Sequence, residues 1–280
     1  KADKVLGFSL SGLCFEGPQA ELTKTQNCQP AILTTSIAAW EAFKAATNIK
    51  PPVISYAAGL SLGEYSALVA ASAIGFEDAV YLVRKRGEFM EEEAAKLPGS
   101  MASVIGLDLG IIQDICRTAG VEVANINCPG QTVISGGVKE IEEASRLAEE
   151  RGAKRVILLE VSGAFHSSFM QQASLKLSGE LNKIKISAPR IPVVSNVTAK
   201  AATQAQEIKD NLVKQVSGSV LWEDSVKLML SQGITRYFEF GPGKVLKGLM
   251  RRIDETAQVT NIEKKQDIDN LAGNTQEGVK

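Results

Sequence analysis

Long segments near both ends of the chain repeat apolar residues at helical spacing, and short apolar runs of strand type lie between them. The predicted helices are 31–47, 64–73, 76–95, 170–184, 208–216, 222–232 and 245–253. The predicted strands are 53–58, 191–197 and 235–239. Because continuous apolar strands suit a parallel sheet covered by helices on both faces, this pattern predicts a doubly wound α/β body.

The stretch from 99 to 162 has a different pattern, with shorter strands and two amphipathic helices in the order β-α-β-β-α-β. That order is typical of a ferredoxin-like unit. We therefore predict a small subdomain over 99–162, inserted into a large subdomain formed by 1–98 and 163–280. A cleft between two such units is a common place for a ligand.

The two ends of the chain have no strong globular pattern. The first 18 residues lack the charged, apolar and small-residue regions of a signal peptide. The pattern from Lys1 onward is that of a helix already under way, so we expect the native protein to be longer. Residues 263–280 are mostly polar or small, and we expect a flexible tail there.

Composition excludes several classes of function. The chain has 280 residues and a formal net charge of -1, whereas a nucleic-acid binder would carry a basic stripe. No apolar run reaches the roughly 18–20 residues of a membrane-spanning helix. The four cysteines form no C-x-x-C pair, which favours free thiols in a reducing compartment. With a single histidine, the sequence clusters no ligands for a zinc site.

The segment 59–63 reads Gly-Leu-Ser-Leu-Gly and lies between a predicted strand and a predicted helix. The G-x-S-x-G pattern in that context is typical of a nucleophile elbow, a tight turn that exposes the serine at a helix N-terminus. Ser61 is the candidate nucleophile, and the N–H of Leu62 is the candidate oxyanion donor. The alternative is a chance Gly/Ser turn.

A serine nucleophile needs a base, and His166 is the one imidazole of the chain. It follows a predicted strand at the junction of the two subdomains, although a lone histidine is more often a surface or core residue. Carboxylates that could complete a triad, Asp210, Glu223 and Asp224, fall on exposed helix positions. The pattern alone supplies no convincing third member.

Beyond its core pattern, the elbow segment reads Gly-Leu-Ser-Leu-Gly-Glu-Tyr-Ser-Ala over 59–67. Further motifs along the chain are Val-Arg-Lys-Arg-Gly at 83–87, Asn-Cys-Pro-Gly-Gln at 127–131, Gly-Ala-Phe-His-Ser at 163–167, Pro-Val-Val-Ser-Asn-Val at 192–197, Gln215 and Gly-Pro-Gly-Lys-Val-Leu at 241–246. These motifs occur in the order found in malonyl-CoA:acyl-carrier-protein transacylases, and the chain resembles that family over about residues 1–255.

The resemblance implies roles for residues of this chain. Ser61 is expected to carry the acyl group and His166 to act as its base, oriented by the backbone carbonyl of Gln215. That carbonyl would explain the missing third carboxylate. Arg86 is expected to pair with the malonyl carboxylate, since a guanidinium fork binds a carboxylate with two hydrogen bonds.

Three further positions follow from the same resemblance. Asn127 matches a polar residue near the catalytic pair, and Phe165 occupies a position that goes with malonyl rather than methylmalonyl substrates. Leu60 stands where the family usually has histidine, which we do not interpret as inactivating.

The family begins with a strand and a G-Q-G-x-Q loop that supplies an oxyanion N–H, and this sequence starts after both.

The implied fold is an α/β-hydrolase-like body with the ferredoxin-like unit inserted. The implied reaction moves malonyl from coenzyme A to the phosphopantetheine thiol of acyl carrier protein through a malonyl-serine, for fatty-acid synthesis. We expect no cofactor and no metal, a monomer, and a cytoplasmic location or else the plastid stroma. Two alternatives stay open: a serine hydrolase or thioesterase on the same elbow, and a non-catalytic remnant that binds the carrier protein.

Overall fold

The computed structural model describes residues 1–47 and 54–277. The helices in this part of the chain are α1 (Ala2–Leu6), α2 (Leu10–Glu16), α3 (Gln19–Leu22), α4 (Thr25–Thr47), α5 (Gly63–Ala70), α6 (Phe76–Lys96), α7 (Leu109–Ala119), α8 (Val138–Glu150), α9 (Gln171–Leu181), α10 (Ala205–Ser217), α11 (Trp222–Ser231), α12 (Val245–Ile253) and α13 (Lys265–Glu277). A short 3-10 helix, Ser168–Met170, precedes α9. The described strands are β1 (Gly99–Ile105), β2 (Glu122–Cys128), β3 (Gln131–Gly137), β4 (Arg155–Leu158), β5 (Val193–Val194), β6 (Ala201–Ala202), β7 (Val220–Leu221), β8 (Arg236–Phe240) and β9 (Gln258–Ile262).

The predicted β-α-β-β-α-β unit is confirmed, and we call β1–β4 with α7 and α8 the small unit. Its sheet has the order β4-β1-β3-β2, with antiparallel neighbours throughout. Ile112 of α7 and Ile141 of α8 are buried with Ile134 of β3 in one core. Strand β7 adds to β2 in parallel and ties the unit to a later part of the chain. The subdomain boundaries at 99 and 162 stay a prediction.

Two of the three predicted body strands are shorter than predicted, whereas β8 has the predicted length. Residues 54–58 form a single parallel bridge, Ala57 with Val193, and the strand predicted over 191–197 is limited to β5. Val53, at the start of the predicted strand, lies outside the described residues. The physical reason is Pro192, whose missing N–H cannot continue the ladder toward Ser55. The strand extents predicted here are therefore wrong.

Helix α4 begins at Thr25 rather than at the predicted Ala31, and Pro30 lies inside it. A proline in a helix leaves the carbonyl four residues earlier without its N–H donor. Here that carbonyl belongs to Gln26, and Arg84 Nη1 on α6 donates to it at 3.0 Å. A side chain from another helix therefore replaces the lost bond, which the sequence pattern could not indicate.

Residues 265–277 form α13, a helix that the sequence pattern did not predict. That the tail from 263 is flexible stays a prediction. The Asp267 carboxylate accepts hydrogen bonds from the backbone N–H groups of Glu263 and Lys264 and so caps the start of this helix. Ile268 is buried in one cluster with Trp40 and Phe43 of α4. These contacts hold the first turns of α13 against α4 although the composition of the segment is mostly polar. Strand β9 was also not predicted.

Candidate active site

Ser61 lies at a sharp turn between the extended segment 54–58 and α5. Its φ of 51° is left-handed, which is strained for a residue with a side chain. Gly59 makes the turn possible, because a Cβ there would lie 2.0 Å from the carbonyl carbon of Gly63. The predicted elbow geometry is thus present at the N-terminal end of a helix. Among the described residues no acceptor binds the Leu62 N–H, which leaves that group available for an oxyanion.

A chain of hydrogen bonds joins Ser61, His166 and Gln215. Ser61 Oγ lies 2.7 Å from His166 Nε2, and His166 Nδ1 lies 2.9 Å from the backbone oxygen of Gln215. Because a carbonyl oxygen can only accept, Nδ1 carries the proton and Nε2 presents its lone pair to the serine hydroxyl. This tautomer is the one that a general base for Ser61 requires.

His166 is buried and has a positive φ of 57°. Burial, together with the nearby Arg86 charge, lowers the pKa of His166 to about 4. The hydrogen bond to Gln215 opposes this shift. The imidazole is therefore neutral at physiological pH and ready to accept a proton.

Arg86 is 2 % exposed, and its guanidinium reaches the hydroxyl of Ser61. Its Nη2 donates to Ser61 Oγ at 3.0 Å and to Gln215 Oε1 at 3.2 Å, and its Nη1 donates to Gln29 Oε1 at 2.7 Å. Burial lowers the pKa of the guanidinium. Within residues 1–47 and 54–277 it has no carboxylate partner at ion-pair distance, and its Nε has no hydrogen-bond partner. A buried cation without a paired anion is suited to bind an anionic group of a ligand.

Asn196, which the sequence analysis did not assign a role, clamps the elbow from the end of β5. Its Oδ1 accepts from the Ser61 N–H at 2.6 Å, and its Nδ2 donates to the Gly59 oxygen at 2.8 Å. The side chain of Gln215 holds the elbow from another side, since its Nε2 donates to the Ser61 oxygen at 2.9 Å. The available signal for Asn196 was its place in the Pro-Val-Val-Ser-Asn-Val segment at 192–197, which matched the family but was given no role.

Glu64 was also missed. Although it lies in the first turn of α5, it is 3 % exposed. Its Oε2 accepts from the Asn196 N–H at 3.1 Å and from Gln215 Nε2 at 2.7 Å. Burial raises the pKa of this carboxyl to about 7, although those two hydrogen bonds and Arg86 act against the shift. We call Ser61, Glu64, Arg86, His166, Asn196 and Gln215 the site network.

The remaining predicted positions lie around this network. Leu60 is partly buried in the cluster that contains Val194 and Trp222. Phe165, next to His166, packs against Met101 and Val133 of the small unit. Asn127 is a buried residue of β2, and its Oδ1 has no hydrogen-bond partner. None of the described hydrogen bonds joins Asn127 to Ser61 or His166, so its role stays a prediction.

The described residues hold no group of three or more His, Cys, Asp or Glu side chains that could bind a metal ion. None of their helices combines the length and the apolar character that crossing a bilayer requires. The four cysteines, Cys14, Cys28, Cys116 and Cys128, are free thiols, as their spacing predicted.

The sequence matches the profile of the acyl transferase domain over residues 2–263. The chain belongs to the acyl transferase family. Among its relatives is the malonyl CoA-acyl carrier protein transacylase of Bacillus subtilis, 48% identical over 259 residues, which are 91% of this chain and 80% of the relative. The Escherichia coli protein of the same name is 44% identical over 260 residues, covering 91% and 83% of the two chains.

Solved structures show the same acyltransferase fold. The malonyl CoA-acyl carrier protein transacylase of Coxiella burnetii has a TM-score of 0.93 at 37% identity, covering 97% of this chain and 86% of that one. A malonyl-transacylase in complex with its type II polyketide acyl carrier protein has a TM-score of 0.92 at 38% identity, with 98% and 89% covered. These matches confirm the predicted resemblance and the α/β fold class.

Proposed function

We propose that this acyltransferase moves a malonyl group from malonyl-CoA to the phosphopantetheine thiol of acyl carrier protein. The observation that carries the proposal is the position of Ser61 Oγ between two groups. His166 Nε2 lies 2.7 Å from it on one side, and a buried guanidinium nitrogen of Arg86 lies 3.0 Å away on the other. The names of the relatives and the carrier-protein complex support the same substrates.

In the first half-reaction, Ser61 Oγ attacks the thioester carbonyl while His166 Nε2 takes its proton. The Leu62 N–H donates to the developing oxyanion. The C–S bond then breaks, the coenzyme A sulfur takes the proton from His166, and a malonyl-serine ester remains. Arg86 holds the terminal carboxylate with charge-assisted hydrogen bonds.

In the second half-reaction the carrier thiol gives its proton to His166 and attacks the ester. The C–O bond to Ser61 breaks, and the proton returns from His166 to the serine oxygen. Both products leave in separate steps, so the kinetics are ping-pong. Every step moves only a proton or the acyl group, and the proposal therefore includes no cofactor.

The bacterial relatives and the free thiols support a cytoplasmic location as the setting of this reaction, with the plastid stroma as the alternative. The chain is proposed to act as a monomer, and the pathway is proposed to be fatty-acid synthesis.

Intact-mass spectrometry after brief mixing with malonyl-CoA tests the proposal. The wild-type chain should gain one malonyl group, and peptide mapping should place it on Ser61. Ser61→Ala should gain none, whereas the matched control Ser145→Ala, on α8 of the small unit, should behave as wild type.

Three outcomes would contradict the proposal or redirect it. An adduct on another residue would remove Ser61 from its role. An adduct that hydrolyses as fast as it forms, with or without carrier protein, would indicate a hydrolase. No adduct on a folded protein would favour a chain that binds the carrier without turnover.

A further inference from the structure

The side chain of Gln215 lies between the buried carboxyl group of Glu64 and the buried guanidinium of Arg86. Its Nε2 donates to Glu64 Oε2 at 2.7 Å and to the Ser61 oxygen at 2.9 Å. Its Oε1 accepts from Arg86 Nη2 at 3.2 Å. Nε2 also makes a longer contact of 3.4 Å with Asn196 Oδ1. An amide nitrogen has two hydrogens, and these acceptors use both of them. The amide oxygen is therefore left to face the guanidinium.

The orientation of this amide decides what Arg86 meets. If the Gln215 amide were rotated by 180°, its NH2 group would face the guanidinium. Two hydrogen-bond donors would then face each other in a buried site, and neither would have an acceptor there. Glu64 and the Ser61 carbonyl are the groups that prevent this. Glu64 supplies the shorter of the two bonds, and it lies in the first turn of the helix that follows the nucleophile.

Glu64 has no direct contact with the reacting atoms. Its described hydrogen-bond partners are the Asn196 N–H and Gln215 Nε2. The charged group that acts on it is Arg86 on α6, and Glu64 in turn raises the pKa of its buried neighbour Tyr65. Glu64 can influence the substrate through Gln215 to Arg86, through Asn196 to the Ser61 N–H, or through its own charge near Arg86.

We propose that Glu64 is a positioning residue for the substrate carboxylate: it fixes the Gln215 amide so that its oxygen faces Arg86 and aims the guanidinium at the malonyl group. This rests on the proposed function, because only a carboxylate-bearing substrate uses Arg86. It assigns Glu64 a share in substrate selection, beyond support of the elbow.

The test compares malonyl-CoA with acetyl-CoA, which has no carboxylate for Arg86. The rate of Ser61 acylation is measured by rapid quenching and mass spectrometry for wild type, Glu64→Met, Glu64→Gln and Gln215→Met. Methionine is of similar length to either side chain and accepts no strong hydrogen bond. Glutamine at position 64 keeps an acceptor oxygen, and Gln215→Met keeps the backbone carbonyl that binds His166.

Glu64→Met should lower acylation by malonyl-CoA about ten- to a hundredfold more than acylation by acetyl-CoA, mainly through KM. Glu64→Gln should restore most of the malonyl preference. Gln215→Met should show the same selective loss, and the double variant should lose no more than Glu64→Met alone, because the two changes break one chain of contacts.

A folded Glu64→Met chain with the wild-type ratio of malonyl to acetyl rates would overturn the proposal, because Glu64 would then serve stability alone. If Glu64→Met does not fold, Gln215→Met decides, and an unchanged ratio there overturns the proposal. Absence of a malonyl adduct on the wild-type chain would instead refute the proposed function, and with it this inference.

Discussion

The small unit and the site network are built in opposite ways. In the small unit, β1 and β3 pair over seven residues each, from Gly99 with Gly137 to Ile105 with Gln131. Around the site, the extended segment 54–58 makes one bridge, and Ser61 and His166 both have positive φ values. Regular backbone pairing holds the first region, whereas single hydrogen bonds from side chains hold the second.

The difference is also one of distance along the chain. Ser61 Oγ and His166 Nε2 belong to residues 105 positions apart, the Asn196 contact to the Ser61 N–H spans 135, and the Gln215 contact to the Ser61 oxygen spans 154. Each of these contacts to Ser61 is made by the side chain of a single residue, so one substitution removes it. The site network should therefore be sensitive to single substitutions that leave the fold intact, and the small unit should show the opposite behaviour.

The largest effect is expected from His166→Ala. Removing the base should slow acylation of Ser61 by about 10²–10⁴-fold, the usual contribution of general-base catalysis. Rapid-quench mass spectrometry measures the rate, and circular dichroism checks that the fold is unchanged. A variant that acylates at the wild-type rate would show that the 2.7 Å contact between Ser61 Oγ and Nε2 has no catalytic role.

Arg86→Ala should reduce acylation by malonyl-CoA roughly a hundredfold or more, because it removes the buried cation that pairs with the carboxylate of the malonyl group. Acylation by acetyl-CoA should fall much less, so the preference shifts toward acetyl. The matched control is Arg84→Ala on the same helix, whose guanidinium contacts Gln26 and Glu88 rather than Ser61. An unchanged malonyl preference in Arg86→Ala would exclude its proposed role.

Asn196→Ala removes the clamp on the Ser61 N–H and the Gly59 oxygen. We expect acylation to fall by about tenfold or more, since a small misplacement of a nucleophile lowers the rate strongly. The comparison is Ser145→Ala, whose hydroxyl bonds only to Ile141 within α8. Equal rates in the two variants would mean that backbone geometry alone holds the elbow.

The pH profile should show a small effect over the neutral range. A base with an ordinary histidine pKa would lose activity below about 6.5. Because the pKa of His166 is lowered to about 4, the neutral form persists, and acylation should stay level from pH 7 to 5 and decline only toward 4. The profile is measured in wild type and in Glu64→Gln, since Glu64 titrates near 7. A decline centred near 6.5 in both would contradict the lowered pKa.

The smallest effect on rate is expected from Ile134→Ala in the core of the small unit. Losing this fully buried side chain should lower the free energy of unfolding by about 2–5 kcal/mol. The folded fraction should still acylate Ser61 at nearly the wild-type rate. Ile157→Ala, at an exposed position of β4, is the control for stability. A large loss of rate in folded Ile134→Ala would show that the small unit holds the site in shape.

Regular periodicity explains which parts of the fold could be predicted. The order of strands and helices in the small unit was correct, and α12 has the predicted bounds. The errors occurred where a proline and a distant side chain decide the structure. Pro192 shortens the pairing between 54–58 and β5, and Arg84 allows α4 to run through Pro30.

The same distinction applies to the site. Ser61 and Leu62 came from a local motif, and His166 was the single imidazole. The backbone carbonyl of Gln215 and the role of Arg86 came only from the family resemblance, because nothing local distinguishes them from other helix residues. Glu64 and Asn196 were missed, since their partners lie more than a hundred residues away in the sequence.

The central claim is that Ser61 accepts malonyl and passes it on. The most direct test isolates the malonyl-enzyme from excess malonyl-CoA and mixes it with phosphopantetheinylated acyl carrier protein. The account predicts that the carrier gains one malonyl mass as the enzyme loses it, with a stoichiometry near one. Release of free malonate in place of malonyl-carrier, or a malonyl-enzyme that the carrier leaves unchanged, would contradict the account.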